Sequence, residues 1–219
     1  MTPDTRTSDF FDSYAHDFDA IYGNRNSLIN RIANRFLRKS MMLRYLRTVE
    51  GCDPIEGRSV IDIGCGPGHY GIALAKRGAS RVVGLDFAEG MIELARKHAE
   101  RAGVAGNCEF ICADFMDIPL GGEFDYAILM GFMDYAEKPG EVVGKALSVA
   151  RSAAFFSFPA DGGLLSWQRK LRYRRKCDLY MYKEADIIDI FAGFPGVSVK
   201  VDRIARDYFV EARVEERKG

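Results

Sequence analysis

Asp62, Asp86 and Asp114 each close a short apolar run, and glycines at alternate positions (Gly64, Gly66 and Gly68) follow the first of them in VIDIGCGPGHYG, residues 60–71. Glycines just past a strand let backbone approach a ligand closely, where any Cβ would obstruct it. A helical pattern starting near His69 turns free N–H groups toward the same place and favours an anionic group there. Read from Gly66, the frame formally matches the GxGxxG of dinucleotide binding, but the glycine that ends the strand is Gly64, so the pattern is D-x-G-x-G-x-G. A carboxylate at Asp62 would repel a pyrophosphate and suits a cationic amine or sulfonium. Asp86, twenty-two residues beyond Gly64, stands where a carboxylate accepts both hydroxyls of a ribose, a feature common to both ligand classes. Asp114, in FICADF, is placed to accept from an adenine amino group, with Phe87, Met91 and Phe115 as apolar neighbours for the ring. Met91 shares helical spacing with Ile92 and Ala95, so a packing role explains it equally well.

The elements that must position these residues alternate. SVIDIG (59–64), RVVGLD (81–86), CEFICAD (108–114), FDYAILMG (124–131) and AAFFSFPA (153–160) read as strands. Between them lie helical patterns near 69–77, from Ala88 to Ala102, and at about 140–151; another follows near 183–192. Apolar runs buried on both faces imply a parallel sheet between helix layers, a doubly wound α/β fold. VSVKVDR (197–203) and RDYFVEARV (206–214) leave no room for a crossover helix, so they form a terminal hairpin with one strand antiparallel to the sheet. The expectation is a Rossmann-like, mostly parallel seven-stranded sheet. Ahead of it, residues 1–50 read as two helices. The first carries an aromatic stripe of Phe10, Phe11, Tyr14, Phe18 and Tyr22, which packing on a core explains for most of its length.

The 219 residues suit one α/β domain with an added lid, and 47% of them are hydrophobic. The formal net charge is zero, which argues against a general nucleic-acid binder. The balance is local, however: residues 23–48 hold seven basic side chains and no acid, and RKLRYRRK at 169–176 is a second basic run. Five cysteines at scattered spacings give neither a zinc site nor a disulfide frame, so no metal is expected. No apolar stretch reaches the ~18 residues of a membrane span, and the acidic N-terminus is unlike a signal peptide. A reduced, cytoplasmic protein without a membrane partner is expected.

VIDIGCGPGHYG, VVGLDFAEGMIELARKHA, FICADFMDIPL and FDYAILMGFMDY together resemble the successive motifs of class I S-adenosylmethionine-dependent methyltransferases, over roughly residues 55–160. The resemblance implies S-adenosyl-L-methionine as cofactor and S-adenosyl-L-homocysteine as product. It puts Asp62, Gly64, Cys65, Gly66 and Gly68 at the methionine end, with Asp62 toward the ammonium. Asp86 would hold the ribose diol, Asp114 the adenine amino group, and Phe87, Met91 and Phe115 the ring. Met130 would offer its backbone carbonyl to the ammonium. It also implies a lid over 1–50, with Tyr14 or Tyr22 bordering the acceptor pocket, and an acceptor cap in an insertion at about 159–182 within the domain 51–219. A small-molecule acceptor follows from the compact chain and from MGFMDY, which lacks the Pro-Pro-aromatic signature of amino-group methylation in nucleic-acid bases. The acceptor atom stays open among carbon, nitrogen, oxygen and sulfur. Candidate bases are His16, His69, Asp134 and Tyr135, none of them singled out as catalytic; His69 reads as loop packing, Asp134 as a helix cap, and His98 as solvated. The alternatives are an RNA or protein methyltransferase using the basic runs, a cofactor-binding module without catalysis, and a dinucleotide enzyme with an atypical loop.

Overall fold

The computed structural model describes residues 41–120, 123–162 and 179–215. The chain divides into two compact units, residues 1–38 and 39–219, and everything below concerns the second. Most of the lid expected over 1–50, with Tyr14, Tyr22 and His16, lies outside the described residues, as do residues 163–178 of the insertion.

The described part of the second unit begins within helix α1, helical over residues 41–51. There follow β1 (Ser59–Ile63), α2 (His69–Lys76), β2 (Arg81–Asp86), α3 (Glu89–Arg101), β3 (Cys108–Cys112), β4 (Phe124–Leu129), α4 (Pro139–Val149), β5 (Ala150–Pro159), α5 (Glu184–Ala192), β6 (Val197–Ile204) and β7 (Asp207–Val214). The seven strands form one sheet in the order β3-β2-β1-β4-β5-β7-β6. Five strands, β1 to β5, pair in parallel, and β7 runs antiparallel to both β5 and β6. The hairpin expected from the short gap is therefore present, with two residues, Ala205 and Arg206, between its paired ends. The strand after α4 starts at Ala150, earlier than its apolar run suggests, because Ala150 already pairs with Phe124. No helix among the described residues is long and apolar enough to cross a membrane.

Side-chain alternation sorts the apolar runs onto two faces. Ile61, Ile63, Val83, Leu85, Leu129, Phe156 and Phe158 pack with α4 and α5 on one face. Val60, Val82, Tyr126, Ile128, Phe155 and Phe209 pack with α1 and α2 on the other. By the same parity Asp62, Met130 and Ser157 belong to the α1/α2 face, at the carboxyl ends of neighbouring strands. A third cluster, with Ile72, Ile92, Ala95 and Phe110, joins α2, α3 and β3.

Gly84, in the middle of β2, makes that third cluster possible. A Cβ there would lie 2.5 Å from Phe110 Cδ1 and 3.0 Å from Cys65 Sγ. Gly84→Ala should therefore push the Phe110 ring out of place and destabilise the protein by about 1–3 kcal/mol, read as a lower midpoint in urea denaturation.

Candidate active site

β1 and β4 are adjacent in the sheet, yet the chain leaves them on opposite faces, to α2 and to α4. At such a switch point the carboxyl ends of the strands open a crevice. A cavity of about 580 Å³ lies there, and Gly64, Asp86, Phe87, Asp114 and Phe115 from the sequence-based set all line it. Leu85, Ala113, Gly131, Phe132 and Tyr135 complete the described wall.

Asp86 is the most constrained of the three acids. Its Oδ2 accepts the Gly66 N–H at 2.9 Å and its Oδ1 accepts the Ala88 N–H at 2.9 Å. The carboxylate thus ties the glycine loop to the start of α3 and keeps further lone pairs for other donors. Gly66 (φ 51) has open space where a Cβ would stand, so the backbone is bare beside Asp86. Gly68 serves packing instead: a Cβ there would meet Phe110 at 3.1 Å and Ala95 at 3.2 Å.

Asp114 is exposed, and its Oδ1 accepts the Met116 N–H at 2.8 Å, which sets the turn after β3. Phe115 is buried, meets Phe132 edge-on at 6.1 Å, and carries the Lys145 ammonium 5.1 Å from its ring centre. Lys145 Nζ also donates to the Met116 and Ile118 carbonyls, both at 2.9 Å, so α4 pins this wall. Phe87 lines the cavity yet is 83% exposed, a ring at the mouth rather than inside.

Asp62 is not part of the lining. It is 2% exposed beneath the glycine loop, and its Oδ2 accepts the Gly71 N–H at 3.2 Å. Burial pushes its carboxyl up to about 7, with the Gly71 hydrogen bond opposing and the nearby Asp86 charge adding to the rise. The Cys65 side chain turns away into the cluster of Ile72, Ile92 and Phe110, its thiol pushed up by burial. Met91 stands in the first turn of α3 and Met130 packs against the α1/α2 face, both outside the lining.

Two expectations, one for His98 and one for the candidate base Asp134, need correcting. His98 is not merely solvated: its Nδ1 lies 3.0 Å from the Pro67 carbonyl, to which it must donate, and its ring stacks on His69 at 5.8 Å. The pair braces the glycine loop from outside. Asp134 does not cap α4, whose N-cap position is Lys138; it is buried in the turn Met133–Tyr135, with its carbonyl accepting the Tyr180 N–H at 3.0 Å. Of the described candidates only Tyr135 lines the cavity, half exposed.

Comparison with known proteins fits this geometry. A family model described as a methyltransferase domain matches residues 55–159. The magnesium-protoporphyrin O-methyltransferase of Rhodobacter capsulatus is 31% identical over 171 residues, 75% of this chain and 74% of that protein.

The chain belongs to the class I S-adenosylmethionine-dependent methyltransferases.

Among solved structures of that class, magnesium protoporphyrin IX methyltransferase from Synechocystis PCC 6803 with bound S-adenosylhomocysteine matches with a TM-score of 0.66 and 27% identity. The match covers 96% of this chain and 99% of that one. The ubiquinone biosynthesis O-methyltransferase of Dinoroseobacter shibae is 30% identical over 112 residues, 51% of this chain. The chain spans 44% of the length of that relative.

Within this methyltransferase fold, sequence reasoning passed over four wall residues, Leu85, Ala113, Gly131 and Phe132, although MGFMDY contained the last two. The signal for those two was position alone, directly past the fourth strand. Asp62 supplies the prediction. The unfolded carboxyl ionises from 3.8 upward, whereas the folded one holds its proton to about 7. Folding stability therefore falls as pH rises through this window, and the penalty is complete above it. Asp62→Asn keeps an acceptor for Gly71 without the charge. Its stability relative to the parent should grow by roughly 2 kcal/mol between about pH 5 and about pH 8, measured by urea denaturation at both.

Proposed function

We propose that this chain transfers the methyl group of S-adenosylmethionine to an oxygen of a small-molecule acceptor. The reading is carried by Asp86, fixed in the cavity wall by two backbone N–H groups beside a bare Gly66. A carboxylate so held is prepared for paired hydroxyl donors such as a ribose diol. The sulfonium supplies an activated methyl group, so the protein's share is alignment and exclusion of water.

The residues fit that task. Asp86 accepts the diol; Asp114 takes the amino group of the base while its other oxygen holds the turn. Phe115 and Phe132 give an apolar wall that keeps water from the reacting atoms. Asp62, under the loop, offers negative charge toward the ammonium through the glycine backbone or a bound water. Tyr135, at the cavity mouth, is the described side chain best placed to take a proton from an acceptor hydroxyl. Oxygen is favoured as acceptor because the relatives named for magnesium-protoporphyrin and for ubiquinone biosynthesis are both O-methyltransferases.

Calorimetry with S-adenosylhomocysteine tests the binding half. The parent should bind, and Asp86→Ala, native by circular dichroism, should lose about 100-fold in affinity because hydrogen bonds to a charged group go with it. Unchanged affinity in that variant would remove Asp86 from the role. For the acceptor half, radiolabelled methyl transfer should appear with phenols or with tetrapyrrole carboxylates. Transfer confined to amines or to RNA would instead sink the oxygen reading.

A further inference from the structure

The α1/α2 face ends in a polar cluster that the proposed chemistry does not use. Ser157, on β5, is 1% exposed. Its Oγ accepts the Gly131 N–H at 2.7 Å and an Arg44 Nη1 hydrogen at 3.1 Å. Arg44 reaches in from α1, and its Nη1 also stands 3.9 Å from the buried carboxylate of Asp207. The Arg44 carbonyl in turn accepts from Thr48 Oγ1 at 2.8 Å. Burying a guanidinium, a carboxylate and a hydroxyl together is costly unless each has partners. The hydroxyl of Ser157 joins this cluster to a backbone amide in the cavity wall.

That junction has a geometric consequence. In a trans peptide the N–H of Gly131 and the C=O of Met130 point in opposite directions. β5 lies on one side of β4 and β1 on the other. An N–H drawn toward Ser157 therefore turns the Met130 carbonyl away from β5, toward β1 and its glycine loop. Gly131, at φ 80, would let this peptide flip at little cost. An outside anchor has to hold it. The carbonyl is thereby directed at the carboxyl end of β1, beside the crevice, and a backbone acceptor aimed there suits a primary ammonium.

We propose that Ser157, braced by Arg44, is a positioning residue that aims the Met130 carbonyl across the switch point at the ammonium of the bound methyl donor. This rests on the proposed cofactor reading and adds to it two residues outside the cavity. Arg44 thereby makes capture of the amino-acid end depend on the docking of α1.

The test uses two thioethers on the full chain, by calorimetry: S-adenosylhomocysteine, and 5′-methylthioadenosine, which carries the same nucleoside without the amino-acid end. Ser157→Ala should weaken S-adenosylhomocysteine by about tenfold or more and leave methylthioadenosine within about twofold. Ser157→Thr, which keeps the hydroxyl, should restore the lost affinity. Arg44→Ala should show the same selectivity in smaller measure, and it carries the test if Ser157→Ala does not fold. Equal loss for both ligands, or no loss for either, in folded variants overturns the positioning role while leaving the cofactor reading intact. A parent chain that binds neither thioether overturns the cofactor reading itself, and the inference with it.

Discussion

Two adjacent parallel strands, β1 and β4, send the chain to opposite faces of the sheet, and everything functional sits where they part. α2 must cover Val60 and Val82 while α4 covers Leu129 and Phe156. No side chain from either helix layer can close the gap between the strand ends without leaving its own face. The crevice is thus a product of connectivity rather than of any particular residue. What the sequence adds is the lining: bare glycine backbone on one side, aromatic rings on the other, and acids at the strand ends.

Three aspartates at three strand ends meet three different environments. Asp86 receives two backbone N–H groups and lines the cavity. Asp114 is exposed and spends one oxygen on its own turn. Asp62 is shut beneath the loop with a single N–H, and its proton is held to about 7. A shared residue type therefore gives a fixed acceptor, an adaptable acceptor, and a buried group whose charge responds to what lies above it. What the sequence does not show is that Asp62, unlike the other two, is shut away from the cavity it would act on.

Much of the fold could be read directly. Period-two and near-continuous apolar runs marked the strands, the two-residue gap forced the hairpin, and the alternation of strands and helices fixed the layers. The placement of Asp86 and Gly64 in the cavity wall was legible because it depends on local position after a strand. Ser157, Arg44 and His98 were not. Ser157 looked like one polar residue in AAFFSFPA, and its bond to Arg44 spans 113 positions of chain. His98 read as a helix flank because nothing local indicates that α3 presents it to Pro67. Cys65 and Gly68 belonged to the right loop, but the side chain of one and the missing side chain of the other answer to packing against Phe110.

The placement of β7 has a bearing on colloidal behaviour. Inserted antiparallel between β5 and β6, it gives the long apolar β5 a hydrogen-bonded neighbour on each side and moves the sheet's rim out to β6. An open edge of β5 character would recruit another chain by strand addition. β6 is a poorer template, because Lys200, Asp202 and Arg203 interrupt its valines and desolvating them against a second molecule is unfavourable. The opposite rim, β3, is short and carries Glu109 in an ion pair with Arg81. Both borders of the sheet thus carry charge that disfavours edge-to-edge growth, and neither of these two strands offers an uninterrupted apolar edge to a second copy.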